Sequence, residues 1–380
     1  MAATDSYAGG DGRLSPLSTP SATRAVLEAH GIGTKYTLGQ NFLVNDDVLK
    51  KIVALAEVGE NDRVLEVGPG IGTLTIALLK HAASVIAIER DPDLPAVLAD
   101  TLHPWREKFA LVEKDALDVT RDDIVVAMVE IGGDTGYPDR ASSAANETAQ
   151  WGVSQSEDCL SESGCPVAPP QEDLQLSLPS KLVANLPYAV AATVVLDYFE
   201  NFPFLDSATI MVQKEVADRM AAAVGTKNYG AYTVKLGLYA EPVGRFAVGP
   251  GNFFPPPRVD SAVIRLNRRV PLMADGAPAS PEVIAAAALM ADAAFTNRRK
   301  TIANSCKTYF SGRGPILLGV ADSSAAEGAP TIALPDGAAT AERLPAIFEA
   351  AAIDPRRRGE TLTQQEFLAL GAALLKVTAA

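Results

Sequence analysis

The stretch EVGPGIG, residues 66–72, decides the fold: it follows the apolar run 63–67 and precedes a helix predicted over 73–81. Glycine lacks a Cβ, so a turn of this composition between a strand and a helix lets the backbone approach a ligand closely. The dinucleotide-binding pattern needs glycine or alanine where Thr73 stands. The turn therefore favours a nucleotide-type cofactor other than NAD, and a plain turn without a ligand is the alternative.

Strands and helices alternate on both sides of this turn. Short β-type runs lie at 84–88, 109–112, 181–184 and 207–213, and a last strand is predicted over 259–266. Such alternation is typical of an α/β fold with a parallel sheet and right-handed crossovers. Two further runs, 231–240 and 243–248, predict an antiparallel pair. Helices are predicted over 24–30, 46–58, 93–102, 122–131, 189–201, 281–294, 296–310, 340–352 and 363–376.

Composition divides the chain into three parts. Residues 1–23 are rich in Gly, Ser, Pro and Ala and are predicted to be a disordered tail. Residues 24–269 carry the α/β pattern, and residues 270–380 are predicted to form a smaller all-α domain. Two stretches without periodic pattern, 128–180 and 311–339, are interpreted as inserts.

Acidic residues follow the next two strands. Glu89 ends the strand after the glycine-rich turn, about 20 residues beyond its first glycine, where an acid binds ribose hydroxyls in such folds. Asp115, with Ala116 beside it, follows the third strand, and its carboxylate can accept from an exocyclic amine of a bound adenine. The alternatives are a helix-capping acid at Glu89 and an ordinary turn residue at Asp115.

The tetrapeptide Asn185-Leu186-Pro187-Tyr188 follows the fourth strand and indicates the chemistry. The exocyclic amine of adenine is a poor nucleophile, because its lone pair is delocalised into the ring. The Asn185 side-chain oxygen and a backbone carbonyl constrained by proline can both accept from that amine, which directs its lone pair at an electrophile. Tyr188 offers a face on which an extruded base can stack. A turn with a buried tyrosine is the alternative.

A proline-rich loop, NFFPPPRVDSAV at 252–263, lies later in the chain. Its prolines stiffen the backbone, so an exposed ring at Phe253 could sandwich the same base from the other side. A buried phenylalanine beside a proline turn is the alternative.

Together these strings resemble the KsgA-type ribosomal RNA adenine dimethyltransferases, which are S-adenosylmethionine-dependent enzymes of the Rossmann class. The resemblance covers about 24–127, 181–310 and the last helices. Besides the turn, the two acids, the tetrapeptide and the proline-rich loop, it rests on LGQNFL at 38–43, QKEV at 213–216, YG at 229–230 and NRRKT at 297–301.

The resemblance implies a class I methyltransferase sheet and S-adenosyl-L-methionine as cofactor. Glu89 would hold the cofactor's ribose and Asp115 its adenine, while Asn185 would hold the target amine between the rings of Tyr188 and Phe253. The full set implied for the cofactor is Gln40, Asn41, Leu43, Glu66, Gly68, Gly70, Gly72, Glu89, Asp115, Ala116 and Asn185.

The implied product is N6,N6-dimethyladenosine at two adjacent adenosines, in the hairpin loop near the 3′ end of 16S rRNA. The implied partner is that RNA in an assembly intermediate of the small ribosomal subunit, and the all-α domain over 270–380 would dock on the RNA or the ribosome. The implied RNA-binding residues are Arg258, Arg298, Arg299 and Lys300.

Three other functions stay open. Erm-type enzymes, which methylate an adenine of large-subunit rRNA, share the site but usually carry isoleucine where Leu186 stands, and they match FFPPPRVDSAV and NRRKT poorly. A DNA adenine methyltransferase more often shows Asp or Asn followed by Pro-Pro-Tyr. A ribosome-assembly checkpoint would bind immature subunits as its main role.

Net charge argues at first against nucleic acid. The chain carries 33 Lys and Arg against 46 Asp and Glu, a formal charge of −13, whereas phosphate affinity depends on Lys and Arg. The charge is uneven, because residues 128–180 hold nine acids and one base, whereas residues 210–310 hold thirteen bases and seven acids. We therefore expect RNA affinity in the C-terminal half.

Cysteine and histidine counts argue against metal and disulfide chemistry. Three cysteines and three scattered histidines make neither a disulfide framework nor a zinc site, so no metal is expected. No apolar run approaches the ~20 residues that span a bilayer, and the N-terminus has no secretory pattern. We expect a soluble cytoplasmic monomer.

Overall fold

The computed structural model describes residues 12–32, 41–132, 178–319 and 331–379. The strands are β1 (Phe42–Leu43), β2 (Arg63–Val67), β3 (Ser84–Glu89), β4 (Phe109–Glu113), β5 (Lys181–Asn185), β6 (Ser207–Gln213), β7 (Ala240–Val248), β8 (Phe253–Phe254), β9 (Ser261–Arg268), β10 (Pro315–Gly319) and β11 (Thr331–Asp336). The helices are α1 (Pro20–Ala29), α2 (Asp46–Ala56), α3 (Thr73–Leu79), α4 (Leu94–Thr101), α5 (Arg121–Gly132), α6 (Ala191–Asn201), α7 (Lys214–Met220), α8 (Ala231–Gly237), α9 (Pro281–Phe295), α10 (Ile302–Ser311), α11 (Gly337–Ala350) and α12 (Gln364–Ala379).

Seven strands form one sheet in the order β4-β3-β2-β5-β6-β9-β7. The first five in this order run parallel, while β9 is antiparallel to both β6 and β7. The chain runs outward from β2 to β4 and then returns to the other side of β2 with β5. Strand order therefore reverses between β2 and β5, the place where open α/β sheets bind ligands at the carboxyl ends of their strands. The predicted Rossmann-like sheet is confirmed.

Helices cover both faces of this sheet. One face packs on α5 and α6 through residues such as Val194 and Tyr198, and the other packs on α2 and α3 through Leu49 and Ile76. All six residues of β3 are buried, as expected of a parallel strand covered on both sides. This core fixes the ends of β2 and β5 beside each other.

The prediction of a tail over residues 1–23 is wrong for the part from residue 12 onward. Leu17 is 1% exposed, and the Asp46 carboxylate accepts from the backbone amides of Leu14 and Ser15 at 2.8 and 3.2 Å. Helix α1 follows and packs against β8. The composition missed this order because the anchoring carboxylate lies about thirty residues further along the chain.

The predicted antiparallel pair over 231–240 and 243–248 is also wrong. Residues 231–237 form α8, and a single strand, β7, pairs with β9. The sequence AYTVKLG is rich in residues that favour strands. Burial of Val234 and Leu236 beside α9 decides for the helix.

A second small sheet was not anticipated. Strand β1 pairs antiparallel with β8, with Phe42 opposite Phe254 and Leu43 opposite Phe253. The Asn45 side chain donates to the Asn252 side-chain oxygen at 2.8 Å beside it. The segment before α2 is therefore tied to the proline-rich loop.

The C-terminal region is helical, as predicted, and packs α9 along α12. It also contains a hairpin, because β10 pairs with β11. The expected insert over 311–339 therefore includes two strands, and α11 begins inside it at Gly337. Most of the acidic insert, residues 133–177, lies outside the described residues, as do residues 320–330. Within the described ranges no helix combines the length and apolarity needed to cross a bilayer.

Candidate active site

The glycine-rich turn at the end of β2 adopts backbone angles that suit glycine. Gly68, Gly70 and Gly72 have φ of 71°, 61° and 89°. A Cβ on Gly70 would lie 3.1 Å from the Phe42 ring, and one on Gly68 would lie 3.6 Å from the Pro187 ring. The turn is therefore closely flanked by β1 and by the tetrapeptide loop.

A cleft of about 540 Å³ opens where β2 and β5 end, a size typical of small-molecule and cofactor sites. It is lined by twelve residues that the sequence predicted for the site: Asn41, Leu43, Glu66, Gly68, Gly70, Glu89, Asp115, Ala116, Asn185, Leu186, Pro187 and Tyr188. Residues distant in sequence thus meet at one edge of the sheet.

Three predicted residues do not line this cleft. Gly72 caps α3 and faces Leu102, so it belongs to the turn but does not face the cleft. Gln40 lies outside the described residues. Phe253 is 4% exposed and packs in the core beneath β1, so the expectation of an exposed ring at this position is wrong. The proline-rich loop instead leaves Phe254 partly exposed.

Glu66 is the most unusual group in the cleft. It is 1% exposed, and its Oε2 has no hydrogen-bond partner among the described residues. Burial raises its pKa to about 8; the Thr75 hydroxyl opposes that rise and the nearby Glu89 carboxylate adds to it. A buried carboxylate with an unpartnered oxygen is costly, so this group favours a ligand that brings positive charge.

Glu89 is held in place by backbone amides. Its Oε1 accepts from the amides of Arg90 and Asp91, each at 2.9 Å. Burial raises its pKa, while these amides and that of Gly70 oppose the rise. The carboxylate is therefore fixed against the glycine-rich turn, at the rim of the same cleft as Glu66.

Asp115 forms an ion pair that the sequence did not suggest. The Arg90 guanidinium donates to its Oδ2 at 2.8 Å, and the Leu117 amide donates to its Oδ1 at 3.1 Å. The bond from Arg90 lowers the pKa of Asp115. Arg90 also lines the cleft; its position directly after Glu89 was the available signal.

Asn185 is oriented by β1. Its Nδ2 donates to the backbone carbonyl of Asn41 at 3.2 Å, so its Oδ1 is left to accept from a ligand. The Pro187 carbonyl accepts from Val190 and Ala191 at the start of α6. The Pro187 carbonyl is therefore committed to α6, whereas no backbone donor to the Leu186 carbonyl is found among the described residues.

Tyr188 is tied to the antiparallel strand β9. Its hydroxyl lies 2.6 Å from the hydroxyl of Ser261, the first residue of β9, which is fully buried. Burial raises the pKa of Tyr188, so the phenol stays neutral. One edge of the ring is therefore fixed while the half-buried ring lines the cleft.

The predicted RNA-binding residues differ in their surroundings. Arg298 donates to the Glu360 carboxylate at 2.8 Å and to the Thr226 carbonyl at 2.9 Å, so it ties the C-terminal region to the segment between α7 and α8. The fully exposed members of the set are Arg258, Arg299 and Lys300.

Some of the arginines in residues 210–310 stabilise the fold by donating to backbone carbonyls of the protein. Arg268 donates to the carbonyls of Phe199, Phe202 and Leu205 at 2.6–2.9 Å and closes the end of α6. Arg265 donates to the Leu55 carbonyl at 2.9 Å. These arginines are committed to the protein interior rather than to a ligand.

The chain is similar to known proteins along almost its whole length. The family model described as ribosomal RNA adenine dimethylase matches residues 33–329. A protein named ribosomal RNA small subunit methyltransferase A from a Geobacillus species is 33% identical over 95% of this chain and 98% of the relative. The protein of that name from Enterococcus faecalis is 33% identical over 95% of this chain and 97% of the relative.

Solved structures share the fold. A dimethyladenosine transferase from Plasmodium falciparum superposes with a TM-score of 0.55 at 20% identity, covering 88% of this chain and 98% of that one. The 23S rRNA methyltransferase ErmE superposes with a TM-score of 0.50 at 21% identity, covering 88% of this chain and 99% of that one.

The match of the family model over most of the chain decides the assignment. The chain belongs to the ribosomal RNA adenine dimethylase family and is an S-adenosylmethionine-dependent rRNA adenine dimethyltransferase.

Proposed function

We propose that this protein dimethylates N6 of two adjacent adenosines in the 3′-terminal hairpin loop of 16S rRNA. Its substrate is a small-subunit assembly intermediate in the cytoplasm, and it acts as a monomer. The observation that carries the proposal is the orientation of Asn185, whose Nδ2 is bound to the Asn41 carbonyl. The names of its relatives point to the small subunit.

The cleft suits S-adenosyl-L-methionine, which supplies an electrophilic methyl group on a sulfonium. The unpartnered Glu66 oxygen fits the ammonium of its methionine end, beside Gly68. Glu89 would hold its ribose hydroxyls, and Asp115 with Ala116 would meet its adenine. Gln40, Asn41 and Leu43 would close the cleft from the N-terminal side.

The chain's own groups would prepare the target amine. Asn185 Oδ1 and the Leu186 carbonyl accept from the two N–H bonds of adenine N6, which withdraws its lone pair from the ring. Tyr188 stacks on the extruded base. No general base is required before transfer, because the amine proton becomes acidic only once the new N–C bond forms. Holding both reactants in line supplies much of the rate.

RNA would bind the exposed part of the basic set. Arg258 lies beside Gln213 in a groove next to the cleft, and Arg299 with Lys300 precedes α10. Replacing Arg299 and Lys300 by alanine should weaken subunit binding. If each residue neutralises one phosphate, the logarithm of the association constant should also fall less steeply with the logarithm of the salt concentration, by about 1.5 in slope.

Labelled S-adenosylmethionine, incubated with the protein and unmethylated small subunits, tests the proposal. Primer extension should map dimethylation to two adjacent adenosines near the 3′ end, and Asn185→Ala should abolish it while keeping subunit binding. Label on large-subunit RNA would instead indicate the Erm-type reaction. Subunit binding without methylation by the unaltered protein would indicate an assembly checkpoint.

A further inference from the structure

Helix α1 places an arginine over the proline-rich loop. The Arg24 guanidinium carbon lies 5.2 Å from the centroid of the Phe254 ring, within the range of a cation–π contact. Arg24 is exposed, and Phe254 is partly exposed. The pair therefore presents a flat cationic surface to solvent.

Arg24 differs from the arginines that serve the fold. Arg265, Arg268 and Arg298 each donate to carbonyls or carboxylates of the protein. Within the described ranges Arg24 has no carboxylate partner, and its contact is with an aromatic face. No described residue takes up its N–H donors, so these are open to a ligand.

The pair lies next to the cleft. Phe254 is paired across the small sheet with Phe42, and Phe42 lines the cleft. Neighbouring strands are ~4.8 Å apart, so the Phe254 backbone is one strand spacing from the cleft wall. The Val44 amide, which donates to the Asn252 carbonyl at 2.8 Å, holds this spacing.

Contacts with distant parts of the chain hold α1, the helix that carries Arg24, in place. The Asp46 carboxylate holds the segment before α1 through the amides of Leu14 and Ser15. Leu27 of α1 is 4% exposed and packs in the same core as Phe42. The guanidinium is thus carried by an anchored helix.

We propose that Arg24, backed by Phe254, is a stacking site for the nucleotide next to the target adenosine. This inference rests on the proposed function. Extruding one base from a loop leaves its neighbour without a stacking partner. Single-stranded RNA bases stack on the planes of arginine side chains as well as on aromatic rings. The nucleotide next to the target adenosine must lie close to the cleft, because it is joined to the target by one phosphate.

The test measures binding of a synthetic RNA hairpin whose loop carries two adjacent adenosines. The unaltered protein is compared with Arg24→Ala and Arg24→Lys, and Arg106→Ala removes another exposed arginine elsewhere as a control. Two further hairpins each replace one of the two adenosines by an abasic nucleotide. Each of them keeps a single target adenosine and lacks the neighbouring base that would stack.

Arg24→Ala should weaken binding of the intact hairpin about tenfold, and Arg24→Lys should do the same, because lysine keeps the charge but has no plane. On at least one abasic hairpin the three proteins should bind within about twofold of one another. Arg106→Ala should match the unaltered protein on the intact hairpin. The melting temperature and cofactor affinity of each variant establish that it is folded.

The inference is overturned if Arg24→Lys binds the intact hairpin as tightly as the unaltered protein, or if Arg24→Ala weakens binding of both abasic hairpins as much as it weakens binding of the intact hairpin. It is also overturned if the unaltered protein methylates small subunits but does not bind the hairpin. Methylation of large-subunit RNA alone would instead overturn the proposed function, so the two failures are distinguishable.

Discussion

Asn185 and Tyr188 each owe their orientation in the cleft to a residue far away in sequence. Asn41 orients the amide of Asn185, and Ser261 holds the hydroxyl of Tyr188. Glu66 is instead left without a partner for Oε2. At the scale of single residues, the site is therefore organised for acceptance of hydrogen bonds and of positive charge.

Cofactor affinity should depend on pH through Glu66. Its pKa is raised to about 8, so at pH ~7 the carboxyl is mostly protonated in the free protein. An ammonium group bound beside it favours the ionised form. Affinity for S-adenosylmethionine should therefore rise with pH up to about 8 and fall again where the ligand's own ammonium loses its proton, as measured by titration calorimetry.

Two controls sharpen this measurement. S-adenosylhomocysteine has the same ammonium without the sulfonium charge, so its affinity should show a similar rise. Glu66→Gln should bind both ligands more weakly and remove the rise. An affinity that is constant with pH, or an unchanged rise in Glu66→Gln, would contradict the role of this carboxyl.

Ser261 should act on methyl transfer through Tyr188. A net hydrogen bond contributes about 1 kcal/mol, so Ser261→Ala should lower kcat/KM for small subunits about fivefold and leave cofactor affinity unchanged. Tyr188→Phe should have a similar effect. In the double variant the two losses should not add, because both changes remove the same bond.

Additive losses in that double-mutant cycle would show that the two hydroxyls act independently. Ser261→Thr, which keeps the hydroxyl, should retain more activity than Ser261→Ala. Equal losses in the two variants would indicate that the site depends on the volume at this position rather than on the bond.

At the scale of elements, close approach of α9 and α12 depends on one glycine. A Cβ on Gly371 would lie 2.6 Å from the backbone nitrogen of Ala287 and 2.7 Å from the carbonyl oxygen of Val283. Backbone atoms cannot move aside as side chains do. Gly371→Ala should therefore lower the free energy of unfolding by about 1–3 kcal/mol, as measured by urea denaturation.

Gly312 gives the matched control. It ends α10 with φ of −104° and would meet nothing within 4 Å on gaining a Cβ. Gly312→Ala should change stability by less than about 0.5 kcal/mol. Equal stability of the Gly371 and Gly312 variants would mean that α9 and α12 do not pack this closely.

At the scale of the whole molecule, the acidic insert should repel RNA. Residues 128–180 hold nine acids and one base, and the described ends allow removal of 133–177 without touching α5 or the buried Leu178. Replacing 133–177 by a glycine–serine linker should tighten RNA binding at low salt. The gain should fade at high salt, because screening shortens the range of the repulsion.

Binding isotherms of the folded deletion variant at several salt concentrations check this expectation. A linker of equal length that keeps the acids of the natural insert is the control, and it should bind like the unaltered protein. Unchanged or weaker RNA binding by the deletion variant would contradict a repulsive role of the insert.

The sequence by itself determined the sheet and most of the residues of the site. Apolar runs, glycines and turns are local patterns, so β2, its glycine-rich turn and the Asn185 loop could be located without coordinates. The polar residues predicted there meet in one cleft because the carboxyl ends of parallel strands share an edge. The boundary near residue 270 and the individual residue roles stay predictions.

Only the tertiary structure decided what depends on contacts between distant segments. Burial against α9 made a helix of the strand-like residues 231–237, and Asp46 ordered the segment that composition marked as a tail. Pairing of β1 with β8 buried Phe253 and set Phe254 beneath Arg24. The physical reason is the same in each case: local composition measures a segment's own preferences, whereas the burial and hydrogen bonds that override them come from partners remote in sequence.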